Sequence, residues 1–136
     1  MSTALYLPSE RVLLTGDTVS YPLPYYTPPL SEHAKSLRYL ASLGAATIVP
    51  GHGPAFHDTS YMLLEADLFE EVLRQTQAAL RAGAVTIDNV HARVNFDRFK
   101  DQFARGDDAI VEQFPLFTKG MVRKAYIELR DSKEIR

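Results

Sequence analysis

The segments ALYLPSERVLLTGDT (residues 4–18) and ATIVPGHGP (residues 46–54) decide the fold of this 136-residue chain. The first predicts two short strands, at residues 4–7 and 11–15, joined by a Pro-Ser-Glu turn as in a hairpin. The second predicts a buried strand at residues 46–49 that runs into a loop of glycine and proline. Because these strands are mostly apolar rather than alternating, we expect a sheet that is covered on both faces.

Between these segments the sequence predicts an irregular stretch followed by a helix. Four prolines at positions 22 to 29 exclude a regular helix or a central strand there. Ser31 is the expected N-cap of the helix, and Gly44 is its expected end. The order of strands, loop, helix and strand predicts an α/β fold.

The rest of the chain is expected to be helical. The spacing of its apolar residues predicts helices over residues 60–82, 86–94 and 116–129, the last of which begins after Pro115. Three phenylalanines at helical spacing are expected to lie in the core: Phe96, Phe99 and Phe103.

Composition limits the domain organisation and the classes of function. No linker rich in Pro, Gly or Ser interrupts the chain. We therefore expect one domain over residues 1–136, with a sheet-forming half at 1–58 and a helical region at 59–136. The net charge of −2 argues against a nucleic-acid partner, and no apolar run is long enough to span a membrane. The absence of cysteine excludes disulfides and thiolate metal ligands, and it fits a cytoplasmic location.

Two polar residues follow apolar strands and are candidates for chemistry. Asp17 comes after a strand and a glycine, and His52 lies within the loop Pro-Gly-His-Gly-Pro. The carboxyl ends of strands carry the chemistry of α/β sheets, and carboxylate and imidazole groups are good ligands for zinc, iron and manganese. The glycines beside His52 are expected to leave room for a ligand. A Gly-Asp turn and a surface histidine are also common without any function, so spacing alone leaves both interpretations open.

The motifs LYLPSERVLLTGDT and TIVPGHGP together resemble two segments of the metallo-β-lactamase-fold hydrolases. The resemblance implies that Asp17 is a carboxylate that bridges two metal ions and that His52 is a ligand of the second metal. It further implies an αββα sandwich, zinc as cofactor, and metal-assisted hydrolysis of an ester, thioester or amide bond as the parent activity. The helices after His52 are similar, more weakly, to the C-terminal region of glyoxalase II-like members.

The chain departs from this family in its metal ligands. The family's HxHxDH motif, which supplies most ligands of the first metal, does not occur in the sequence, and His33, His57 and His91 match no ligand position. We therefore expect the C-terminal half of the sandwich followed by a helical region, in effect a truncated hydrolase. Catalytic zinc requires about three protein ligands, and this chain supplies only the two named above. The isolated chain is expected to bind zinc weakly or not at all and to be inactive, so its standing as an enzyme is left open.

Two other interpretations remain: an incomplete reading frame without a function of its own, or a non-catalytic module that binds itself or a partner chain. In a half-sandwich, one apolar face of the sheet has no cover from its own chain, and exposed apolar patches usually mark interfaces. We therefore expect a homodimer, or association with a complementary chain, unless the C-terminal helices cover the sheet. Six residues are expected to supply the apolar surface: Leu5, Leu7, Val12, Leu14, Ile48 and Val49.

Overall fold

The structure is a computed structural model that describes residues 3–27 and 29–131. Its elements are β1 (Leu5–Leu7), β2 (Val12–Ser20), α1 (Leu30–Ala41), β3 (Thr47–His52), α2 (Ser60–Arg81), α3 (Ile87–His91), α4 (Asp97–Ala104) and α5 (Asp108–Asp131). The predicted α/β class and the helical C-terminal region are confirmed. None of the helices in these two ranges is both long enough and apolar enough to cross a membrane.

The strands form one sheet in the order β1-β2-β3. β1 pairs antiparallel with β2, as the hairpin predicted, and β3 pairs parallel with β2 after the crossover through α1. Both long strands extend further than expected, β2 to Ser20 and β3 to His52. The pairing of β2 with β3 is irregular on both sides of Gly16. It resumes beyond that point, with Ser20 paired to His52, and so both strands continue.

The described residues cover only one face of the sheet, so the expectation of cover on both faces is wrong. Leu13 and Ile48 are 1% and 0% exposed on the face that packs against the helices. On the opposite face Leu5, Leu14 and Val49 lie side by side across the three strands and are 54%, 36% and 37% exposed. Ile48 was expected to add to the open apolar surface, but strand residues alternate between faces, and the alternation places it with the helices.

The covered face of the sheet and the helices share one core. α1 packs against α2, and α5 packs against α2 and α4. The buried apolar residues of the sheet and of the helices form one continuous cluster, which includes the three phenylalanines predicted to be core: Phe96, Phe99 and Phe103. That the chain is a single domain with its two parts meeting at residue 58 stays a prediction.

Two helix starts differ from expectation. α1 begins one residue before Ser31, after Pro29, and no side chain caps it. α5 begins at Asp108 rather than after Pro115, which lies inside the helix. Proline removes one backbone hydrogen bond from a helix, but Ile110 and Phe114 are buried on the same helix. Their burial outweighs that loss, because packing of an apolar face contributes most of a helix's stability in a folded protein.

Candidate metal centre

Asp17 and His52 lie together near the carboxyl ends of two neighbouring parallel strands. Nε2 of His52 is 3.4 Å from Oδ1 of Asp17, and their side chains are 71% and 54% exposed respectively. The structure thus brings the two residues into contact at one edge of the sheet, where both are open to solvent. Their role as metal ligands stays a prediction.

An irregularity in β2 turns Asp17 out of the sheet. Gly16 pairs with Pro50 and Ser20 pairs with His52, so β2 places more residues than β3 between the same two pairings. Gly16 has φ of +55°, in the left-handed region that glycine adopts without strain. Extra residues of this kind bend a strand and re-aim its side chains, which explains why Asp17 is exposed directly before three buried residues, Thr18 to Ser20.

The glycines on either side of His52 allow close contacts within the protein. A Cβ atom on Gly51 would lie 2.7 Å from Oδ1 of Asp17 and equally close to neighbouring backbone atoms. A Cβ atom on Gly53 would lie 2.6 Å from Cβ of Tyr21. The space beside these glycines is therefore occupied by Asp17 and Tyr21. The expectation that the glycines leave room for a ligand is corrected accordingly.

Buried side chains from two helices hold the last residues of β2. Nε2 of His33 in α1 is 2.9 Å from the carbonyl oxygen of Thr18, and the hydroxyl of Tyr61 in α2 donates to the carbonyl oxygen of Ser20 at 2.6 Å. A backbone N–H donates to Nδ1 of His33 at 3.2 Å, so Nε2 carries the proton and donates to Thr18. Burial lowers the pKa of His33 and favours this neutral form. His33 is thus a structural residue of the strand end.

Glu65 lies behind the same strand end and was missed by sequence reasoning. It is 0% exposed, and neither carboxyl oxygen has a hydrogen-bond partner among the described residues. Burial raises the pKa of Glu65 to about 9, and the nearby backbone of Ser20 opposes the rise. Burial, and secondarily the charge of Glu65, also raise the pKa of Tyr61 one helical turn away. The sequence contained one indication of this burial: Glu65 occupies a position on the side of α2 that faces the core.

Aromatic packing fixes the chain that follows His52. Phe56 exchanges two backbone hydrogen bonds of 2.8 Å with Ile48, which fold this segment back along β3. Its ring stacks on Tyr61, with centroids 5.0 Å apart, and meets Tyr21 edge to face at 5.8 Å. The loop that bears His52 is therefore anchored on both sides by the core.

The two candidate ligands do not by themselves complete a metal site. Within residues 3–27 and 29–131, no group of three or more His, Cys, Asp or Glu side chains is placed to hold a metal ion. Catalytic zinc takes about three protein ligands, so Asp17 and His52 fit only part of such a site. Five surface clefts of about 310 to 440 Å³ lie elsewhere on the described chain, and neither residue lines any of them.

Comparison with protein families supports the family resemblance that the two motifs indicated. Residues 1–52 match the model of the metallo-beta-lactamase superfamily, a span that contains both Asp17 and His52 and ends at the latter. The resemblance to this superfamily is therefore confirmed for the sheet and α1. No curated protein matches the chain. That these residues correspond to the C-terminal half of the family's sandwich stays a prediction.

Proposed function

We propose that this chain contributes Asp17 and His52 to a metal-dependent hydrolase centre of the metallo-β-lactamase type, whose remaining ligands lie outside these 136 residues. The parent reaction is hydrolysis of an ester, thioester or amide bond. The observation that carries the proposal is the 3.4 Å approach of Nε2 of His52 to Oδ1 of Asp17, within a segment that matches the superfamily. Because two ligands hold a catalytic metal poorly, the isolated chain is proposed to be inactive.

The chemistry of the two side chains favours zinc. Carboxylate oxygen and imidazole nitrogen are both zinc ligands, although iron and manganese accept the same pair. The chain's own contribution is to hold these two groups in place. The irregularity at Gly16 exposes the carboxylate, Gly51 lets it approach the histidine loop, and Tyr61 fixes the strand end from the core.

Zinc titration of the purified chain tests the proposal. Calorimetry and NMR shifts of the histidine rings are expected to show weak zinc binding that is lost in Asp17→Ala and in His52→Ala. His57→Ala is the matched control, because His57 is an exposed histidine of the same region that is not paired with Asp17. No turnover of ester or thioester substrates is expected. Tight stoichiometric zinc with turnover, or zinc binding that neither variant changes, would contradict the proposal.

A second candidate function is favoured by the open face of the sheet. A non-catalytic module that binds itself or a partner chain needs only an apolar surface, and Leu5, Leu14 and Val49 provide one. Substitutions at Asp17 and His52 distinguish the two functions, because association through the sheet requires neither side chain. For either function we propose a cytoplasmic location, which fits the absence of cysteine from the sequence and is tested by cell fractionation.

A further inference from the structure

The open face of the sheet carries five apolar residues and one threonine: Leu5, Leu7, Val12, Leu14, Val49 and Thr47. They form two rows across the three strands, in which Leu5, Leu14 and Val49 make one row and the other three residues make the second. Four of the six are large apolar side chains that are between 36% and 54% exposed. No residue of the open face carries a charge. Contiguous surfaces of this kind on a folded protein usually mark interfaces.

No residue within 3–27 and 29–131 covers the open face. The helices pack on the opposite side of the sheet, over Leu13 and Ile48. The residues that the structure does not describe are 1, 2, 28 and 132–136. The open face is therefore available for contact with groups other than the described residues.

We propose that two copies of the chain pack their open faces against each other about a two-fold axis. A two-fold axis places the same patch on both partners, so a neutral apolar face meets a neutral apolar face and no charge is buried without a partner. The small net charge of −2 per chain adds little repulsion between the copies. Two sheets stack face to face at about 10 Å, a distance that leucine and valine side chains fill.

The size of the open face sets the strength of this dimer. A standard stable interface buries about 800 Å² on each partner. The six side chains of the open face are fewer than the about 20–30 residues that such an interface engages on each side, so the dimer is expected to exchange with monomer rather than to be permanent. A dimer fraction that rises with protein concentration in the micromolar range is the expected behaviour.

Sedimentation velocity over a range of concentrations tests the proposal, and EDTA in the buffer removes any association through metal ions. The wild-type chain is expected to show a concentration-dependent dimer. Leu14→Glu and Val49→Glu each place a charge in the open face and are expected to raise the dissociation constant by at least about tenfold. Val85→Glu and Ile127→Glu are the matched controls, since these apolar residues are 68% and 47% exposed outside the sheet.

A wild-type chain that stays monomeric at every concentration overturns the proposal. So does a dimer that survives both open-face variants or is abolished by the two controls. Circular dichroism verifies that each variant folds. If a glutamate variant does not fold, Leu14→Thr and Val49→Thr replace it, because threonine suits an exposed strand and still removes apolar surface. None of these variants replaces Asp17 or His52, so the result is independent of the proposed metal centre.

Discussion

The hydroxyl of Tyr61 donates a hydrogen bond of 2.6 Å to the carbonyl oxygen of Ser20, the last residue of β2. The next residue, Tyr21, donates its N–H to the carbonyl oxygen of His52 at 3.1 Å. A side chain of α2 is therefore connected through the backbone to the ends of both strands that carry the candidate ligands. The exposed pair of Asp17 and His52 is held in place from the core beneath it.

Replacing Tyr61 by phenylalanine is expected to weaken this connection. Tyr61→Phe keeps the packing of the ring but leaves the buried carbonyl oxygen of Ser20 without its donor, which costs about 1 kcal/mol of the free energy of unfolding. Urea denaturation measures the change. Tyr39→Phe is the control, because Tyr39 is 66% exposed and its loss of a hydroxyl should cost little. Equal effects of the two substitutions would show that the bond to Ser20 contributes nothing.

Glu65 is expected to make the stability of the chain depend on pH. Its pKa is about 9 in the folded chain, against an ordinary value of 4.5, so the folded state holds a proton that the unfolded state releases. The free energy of unfolding is therefore highest below pH 4.5, falls as pH rises towards 9 and is level above that. At pH 7 the cost is on the order of 3 kcal/mol, because each pKa unit corresponds to about 1.4 kcal/mol.

Two variants at Glu65 test this prediction. Glu65→Gln removes the ionisable group and should abolish the fall in stability between pH 4.5 and 9. Glu65→Leu also removes the polar atoms that have no partner among the described residues, so it should stabilise the chain at pH 7. Urea denaturation across this pH range is the measurement. Parallel pH curves for the wild type and Glu65→Gln would show that Glu65 does not titrate in this way.

Sequence patterns identified Asp17 and His52 because both follow apolar strands, and the structure brings them together because parallel strands place their carboxyl ends at one edge of a sheet. They also predicted α2, whose apolar spacing is long and regular. They did not predict the burial of Glu65, because a carboxyl group on a helix normally faces water and only tertiary packing places it in the core. Nor did they assign Ile48 to the covered face, since which face of a strand is buried depends on where the helices pack.

Gly51 is expected to be essential to the contact between Asp17 and the histidine loop. In Gly51→Ala the new Cβ atom would lie 2.7 Å from Oδ1 of Asp17 and from the carbonyl carbon and oxygen of Gly16. The carboxylate can rotate away, but the backbone of Gly16 cannot move without disturbing the pairing of β2 with β3. We therefore expect a loss of about 1–3 kcal/mol in the free energy of unfolding, together with weaker zinc binding.

Gly120→Ala is the matched control for Gly51→Ala. A Cβ atom on Gly120 would also be close to another atom, 2.8 Å from the hydroxyl of Tyr26, but that atom is the far end of a side chain that can shift. Alanine also favours a helix over glycine by up to about 1 kcal/mol, so the control should cost little or even stabilise α5. Adding Asp17→Ala to Gly51→Ala should recover only part of the lost stability, because the contact with the Gly16 backbone remains. Full recovery in that double variant, measured by urea denaturation, would show that the carboxylate alone requires a glycine at position 51.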